Sequence, residues 1–267
     1  MKTKANFLLI GIMYLSILCS CEADAGSFEL NSYPKDLIST PIYISNIPAS
    51  IADSQTPINI ETAKAVVFHS NDPMIHYGAI TLNSVMNNAG ENLKININNA
   101  DYFNNYISVG GKKYNLSNFH FHYHSEHAID GNYSTMEIHF VNIASDNSYA
   151  VLGVLVNLGD ANSGLEELIA QSPTVNNAIN SPNTVFDLSK LLPSTSGYYT
   201  YSGSLTTPNF GANSSLVNGG PVTWFVFKDV QHLSLNEFDS YKSIYSEPNF
   251  RSLQPLNNRK VYVNRPG

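Results

Sequence analysis

From residue 65 onward, short runs rich in Val, Ile, Phe and Tyr alternate with turns made of Asn, Gly and Asp. The runs fall at 65–68, 79–82, 93–97, 106–109, 119–123, 136–143, 150–158 and 222–227, with an earlier one at 41–47. Runs this short, bounded by turn formers, are strand signals, so the pattern predicts a mainly β domain. Three stretches, 163–171, 184–192 and 234–245, have a helical look instead. The first and last open with Ser-x-x-Glu, Ser163 with Glu166 and Ser234 with Glu237. In that box the hydroxyl and the carboxylate each satisfy an orphan amide of the first turn. The asparagines near Asn87, Asn98 and Asn104 read as turn chemistry.

The N-terminus follows a different pattern. After Met1-Lys2-Thr3-Lys4 comes an apolar run over 7–18, too short to span a bilayer comfortably and too near the terminus for a core helix. It reads as an export signal. The chain's two cysteines close the run in Leu18-Cys19-Ser20-Cys21, which resembles a bacterial lipoprotein cleavage box with Cys21 as the lipidated residue. An ordinary signal cut near Ala23 or Ala25 is the alternative, and both place the mature chain outside the cytoplasm, periplasmic or at the cell surface. Residues 22–39 are polar and without period, a tether leading to a folded domain over 40–267. A mature chain without a cysteine pair has neither a disulfide framework nor a thiolate metal site.

Composition narrows the picture. With 43% hydrophobic residues in 267, the chain can fill one sizeable core. Only 13% of residues are charged and the net charge is -7, so there is no broad basic face and nucleic acid is not an expected partner. Oligomeric state stays open, a dimer included.

Five of the eight histidines lie between His120 and His139. In Asn118-Phe119-His120-Phe121-His122-Tyr123 polar and aromatic residues alternate, so a strand projects His120 and His122 from one face and the aromatic residues from the other. Met136-Glu137-Ile138-His139-Phe140-Val141 alternates in the same way, and a neighbouring strand would bring His139 beside the first pair. Three imidazoles without a thiolate suit zinc and leave a fourth tetrahedral position for water, as a catalytic site requires. Each ligand needs its other ring nitrogen anchored, and Glu137 and Asn118, two residues away on the same faces, are placed for that. His127 reads as structural. His120-x-His122-x-x-x-Glu126 also matches half of a cupin site, but Tyr114 and Tyr133 stand where that motif needs glycine.

The run from Asn118 through Ser125-Glu126-His127 to Val141 resembles the zinc segment of the α-carbonic anhydrases. Tyr201-Ser202-Gly203-Ser204-Leu205-Thr206-Thr207-Pro208 with Val222-Thr223-Trp224 resembles their active-site loop and the strand after it. Asn249-Phe250-Arg251 and Gln254-Pro255-Leu256-Asn257-Asn258-Arg259 resemble their closing segment, and Gln55-Thr56-Pro57 their early Gln-Ser-Pro block. The likeness implies a single α+β domain on a large twisted, mostly antiparallel sheet with short peripheral helices. It implies reversible hydration of CO2 to bicarbonate and a proton by a zinc-bound hydroxide, with zinc on His120, His122 and His139. Asn118, Glu137 and the Asn249 backbone would steady those ligands, and Thr206 would accept from the hydroxide while donating to Glu126. Val141, Val151, Leu205, Thr207 and Trp224 would line the substrate pocket. The chain departs from the family where a histidine commonly passes protons to buffer: Asn87-Asn88-Ala89-Gly90-Glu91 has an extra residue and puts Glu91 there. A glutamate, with a pKa of about 4.3 in peptides, matches zinc water near 7 poorly, so a slower, buffer-dependent enzyme is expected, with His76 or His124 as substitutes if either lines the cavity.

Overall fold

The structure, a computed structural model, describes residues 51–194, 197–207 and 219–264. The expected export signal, tether and first strand run lie outside them. Ten strands form the continuous path of a 13-stranded sheet: β1 (Val66–Phe68), β2 (Val85–Asn88), β3 (Asn92–Asn96), β4 (Lys112–Tyr123), β5 (Met136–Ala144), β6 (Tyr149–Leu158), β7 (Ile179–Asn180), β8 (Tyr198–Gly203), β9 (Val222–Phe227) and β10 (Tyr262–Asn264). Their spatial order is β7-β2-β3-β4-β5-β6-β9-β8-β10-β1. Most pairs are antiparallel, as expected, while β6 with β9 and β10 with β1 run parallel.

The central strands are buried on both faces, and their residues sort by parity. Phe119, Phe121, Ile138, Phe140, Leu152 and Val154 point into the larger core. Val141, Val151, Leu155, Trp224 and Val226 point into a smaller cluster on the opposite face. That second face carries the site. Register does the rest: His139 on β5 pairs with His120 on β4, and Glu137 with His122. A two-residue period on adjacent strands thus brings three histidines together, as the alternation predicted.

Outside the sheet lie the helices α1 (Ser163–Ala170) and α2 (Leu235–Ile244), together with a four-residue helical turn at Asn99–Tyr102. The box at Ser234 and Glu237 forms as expected. At α1 it does not: Asn162 is the cap, its side chain accepting from Gly164 N and Leu165 N. The helix expected at 184–192 is likewise absent. Thr184–Asp187 is a strand paired with Ala79–Leu82, which buries Phe186 against the core, and Leu188–Leu191 follows as a short 3-10 turn. Asn87 does act in a turn, accepting from Gly90 N, whereas Asn98 caps the helical turn at Asn99–Tyr102, its side chain accepting from Asp101 N.

Candidate active site

The ligand atoms of His120, His122 and His139 lie within 4.8 Å of one another. His120 Nδ1 donates to Asn118 Oδ1 at 3.1 Å and His122 Nδ1 to the Asn249 carbonyl at 2.9 Å. Carbonyl oxygens only accept, so each contact fixes the tautomer and leaves Nε2 with its lone pair. His139 presents Nε2 to Glu137 Oε1 at 3.0 Å, off the line of an ideal hydrogen bond, and so turns Nδ1 inward. Asn118 Oδ1, Glu137 Oε1 and the Asn249 carbonyl are thus the acceptors that stand against the three imidazoles.

Glu137 is a hub. One oxygen accepts from the backbone N–H groups of Glu126 and His127, and the other meets His127 Nδ1 at 2.7 Å. His127 Nε2 reaches Tyr201 Oη at 2.7 Å, and Tyr201 continues to Thr56 Oγ1. His127 is fully buried. Burial alone would raise the Glu137 pKa, but His127 and His139 hold it well below the usual carboxylate range. Burial lowers the pKa of His120 and His122. It would do the same to His139, but Glu137 and then Glu126 outweigh it and the pKa is raised. Room for the hub comes from Gly153 on β6, opposite His139, where an added Cβ would lie 2.8 Å from Glu137 Oε1. Nothing in the sequence pointed to that glycine.

Glu126 accepts from Arg251 N through Oε1, while its buried Oε2 has no hydrogen-bond partner among the described residues. The hydrogen bond from Thr206 that the resemblance implied is not formed here. Oε2 stands 3.6 Å from His122 Nε2 and 3.8 Å from His139 Nδ1. Electron-rich atoms converging in a dry site are costly unless a cation joins them, so the residues fit a bound metal. Three imidazole nitrogens without sulfur fit zinc in particular.

Two cavities meet this centre. The smaller, about 220 Å³, touches His120 and His139 and is walled by Val141, Val151, Leu205 and Trp224, with Thr206, Thr207 and Lys94 also on its border. The larger, about 640 Å³, touches His122, Glu126, Thr206 and Thr207 and has Glu91 on its border. His124 stacks on Phe250, which borders the larger cavity, whereas exposed His76 stacks on Tyr106 and borders neither.

The C-terminal segment braces the centre. The Asn249 side chain accepts from Tyr123 N and donates to Phe121 O, pinning its own carbonyl against His122. Arg251 donates to Thr56 O, and the Arg259 guanidinium to Ser202 O, Gln55 O and Pro255 O. The early, middle and late blocks singled out in the sequence meet here.

Fold and site together define a class: a sheet protein in which three histidines that could hold a metal ion face a cavity with an apolar wall. The family model of the eukaryotic-type carbonic anhydrases matches residues 44–265. A carbonic anhydrase of Neisseria gonorrhoeae is 32% identical over 213 residues, covering 79% of this chain and 78% of that one. The α-carbonic anhydrase of Thermovibrio ammonificans, solved with the inhibitor sulfanilamide, matches with a TM-score of 0.70 at 32% identity, over 80% of this chain and 88% of the other. Dioscorin, solved in complex with ascorbate, matches at 0.68 and 26%, over 80% and 86%. The chain belongs to the eukaryotic-type, or α, carbonic anhydrase family.

Proposed function

We propose that this chain is a working zinc carbonic anhydrase that hydrates CO2 to bicarbonate and a proton, and runs the reverse reaction. The observation that carries the reading is the orientation of the three imidazoles, each with its outer nitrogen held against an acceptor and its inner lone pair free. A zinc ion supplies, when bound, a Lewis acid that brings the pKa of water to about 7, so that hydroxide is available at neutral pH. His120, His122 and His139 would hold it.

The remaining roles belong to the chain's own side chains. Val141, Val151, Leu205 and Trp224 exclude water and hold linear, apolar CO2, with Thr207 beside them. Glu126 keeps one buried oxygen as a free acceptor, and Thr206, bordering the same cavity, carries the hydroxyl suited to it. An ionised carboxylate only accepts, so a threonine proton committed to it leaves the threonine oxygen to orient the attacking group. Asn118, Glu137 and the Asn249 carbonyl keep the imidazoles in place. Glu91, on the border of the larger cavity, stands on the way out for the proton, which makes turnover depend on buffer.

Zinc content and CO2 hydration measured on the wild type and on His122→Ala test the reading. Stoichiometric zinc and activity in the wild type, both lost in the variant, are expected. A full zinc site without hydration would leave a binding module on this fold, and an active alanine variant would sink the ligand assignment. We further infer that residues 1–21 direct export and that Cys21 carries a lipid tether, with the catalytic domain beginning near residue 40. The apolar run and its cysteine box support this, and no described helix is long and apolar enough to cross a membrane. The mass of the mature N-terminus decides it.

A further inference from the structure

The two cavities that share Thr206 and Thr207 differ in charge. The larger is bordered by Glu91, Glu126 and Glu247, with Arg251 the one cation among its lining residues. The smaller has one side chain of formal charge apart from its histidines, Lys94. Lys94 lies on β3 with its Cα paired to that of His120. Its neighbours Leu93 and Ile95 are fully buried in the larger core on the other face, so strand parity turns Lys94 to the metal side.

The surroundings of this ammonium are unusual for a lysine. It is partly buried, and among the described residues no carboxylate or hydrogen-bond partner meets it. Burial pulls its pKa below the usual lysine range, with nothing opposing. Its charge is felt at His120, adding to the effects of burial, His122 and His139 there. A four-carbon stem ordinarily carries its charge out to water. A lysine kept at the border of an apolar cavity without a counter-ion has unspent capacity to bind an anion.

We propose that Lys94 is the anion-recognition residue of the smaller cavity, its ammonium donating to bicarbonate as product of hydration and as substrate of dehydration. The proposal rests on the carbonic anhydrase reading. It separates the two products by charge: bicarbonate is drawn to the Lys94 side, and the proton to the side bordered by Glu91 and Glu247. Neutral CO2 is nearly blind to the ammonium, so the residue discriminates between the two directions of the reaction.

The test uses the zinc-loaded full chain, Lys94→Gln and Lys94→Arg, with zinc content and calorimetric bicarbonate affinity as readouts. Losing one charge-assisted hydrogen bond predicts roughly tenfold weaker bicarbonate binding in Lys94→Gln, restored in Lys94→Arg. KM for bicarbonate in dehydration rises more than KM for CO2 in hydration. Unchanged bicarbonate affinity in zinc-loaded Lys94→Gln overturns the proposal and leaves the enzyme reading intact. If Lys94→Gln fails to hold zinc where Lys94→Arg holds it, the lysine serves the metal site itself and the proposal falls. A wild type that takes up no zinc and hydrates no CO2 overturns both readings.

Discussion

At the scale of single residues, the site depends on a carboxylate that borders neither cavity. Glu137 accepts from two backbone amides and from His127 while steering His139, and it can do so because Gly153 has no side chain. Gly153→Ala puts a methyl against Glu137 Oε1, which must move. Loss of an orienting partner typically costs 10–100-fold in metal affinity, and a chelator competition assay should find zinc binding weakened by about that factor. The same carboxylate sets a pH dependence. In the metal-free chain Glu137 raises the pKa of His139 above the ordinary histidine value of about 6.5, so this ligand takes up a proton before His120 and His122, which burial keeps neutral. Zinc affinity should therefore fall as pH drops through the raised value. Glu137→Gln, which removes the main cause of the elevation, should shift the midpoint of that fall to lower pH as well as weaken binding. The three histidines were legible in the sequence because strand parity is a local rule. Gly153 and Lys94 were not, since a missing side chain and an ammonium without a carboxylate partner among the described residues acquire meaning only from what lies across the sheet.

At the scale of elements, local signals held where they were stronger than the tertiary alternatives. Ser234 and Glu237 cap α2 as the spacing predicts, and the same Glu237 carboxylate accepts from the Asn162 backbone at 2.9 Å, tying the start of α1 to the start of α2. Ser234→Ala removes one cap and should cost about 1 kcal/mol in urea unfolding, whereas Glu237→Ala also strips a buried carboxylate from Asn162 and should cost more. Asn162 captured the α1 cap from Ser163 because its amide oxygen serves two backbone donors at once. The segment 184–192 failed as a helix for a non-local reason: Ala79–Leu82 offers it a partner strand, and pairing buries Phe186. The strands Val85–Asn88 and Tyr262–Asn264 also escaped the pattern, being short and completed by their neighbours in the sheet.

At the scale of the molecule, the centre is assembled from residues far apart in the chain. Arg259 reaches back to the Gln55 carbonyl across 204 positions, and Asn249 reaches His122 across 127. The resemblance linked these blocks before any contact was visible, but strand parity alone gave no reason for a carbonyl at 249 to serve a histidine at 122. A chain ended after residue 245 retains all three histidines yet loses the Asn249 carbonyl and the Arg251 and Arg259 braces. It should hold zinc far more weakly than the full chain in equilibrium dialysis, even where circular dichroism still reports β structure.

The Asn249 clasp also fixes an order of events. During synthesis the three histidines emerge more than a hundred residues before the carbonyl that orients the middle one, so over that stretch the chain has ligands without a site. Tight capture of a metal by this centre would therefore come only after residue 249 has joined the fold, among the last steps of its maturation.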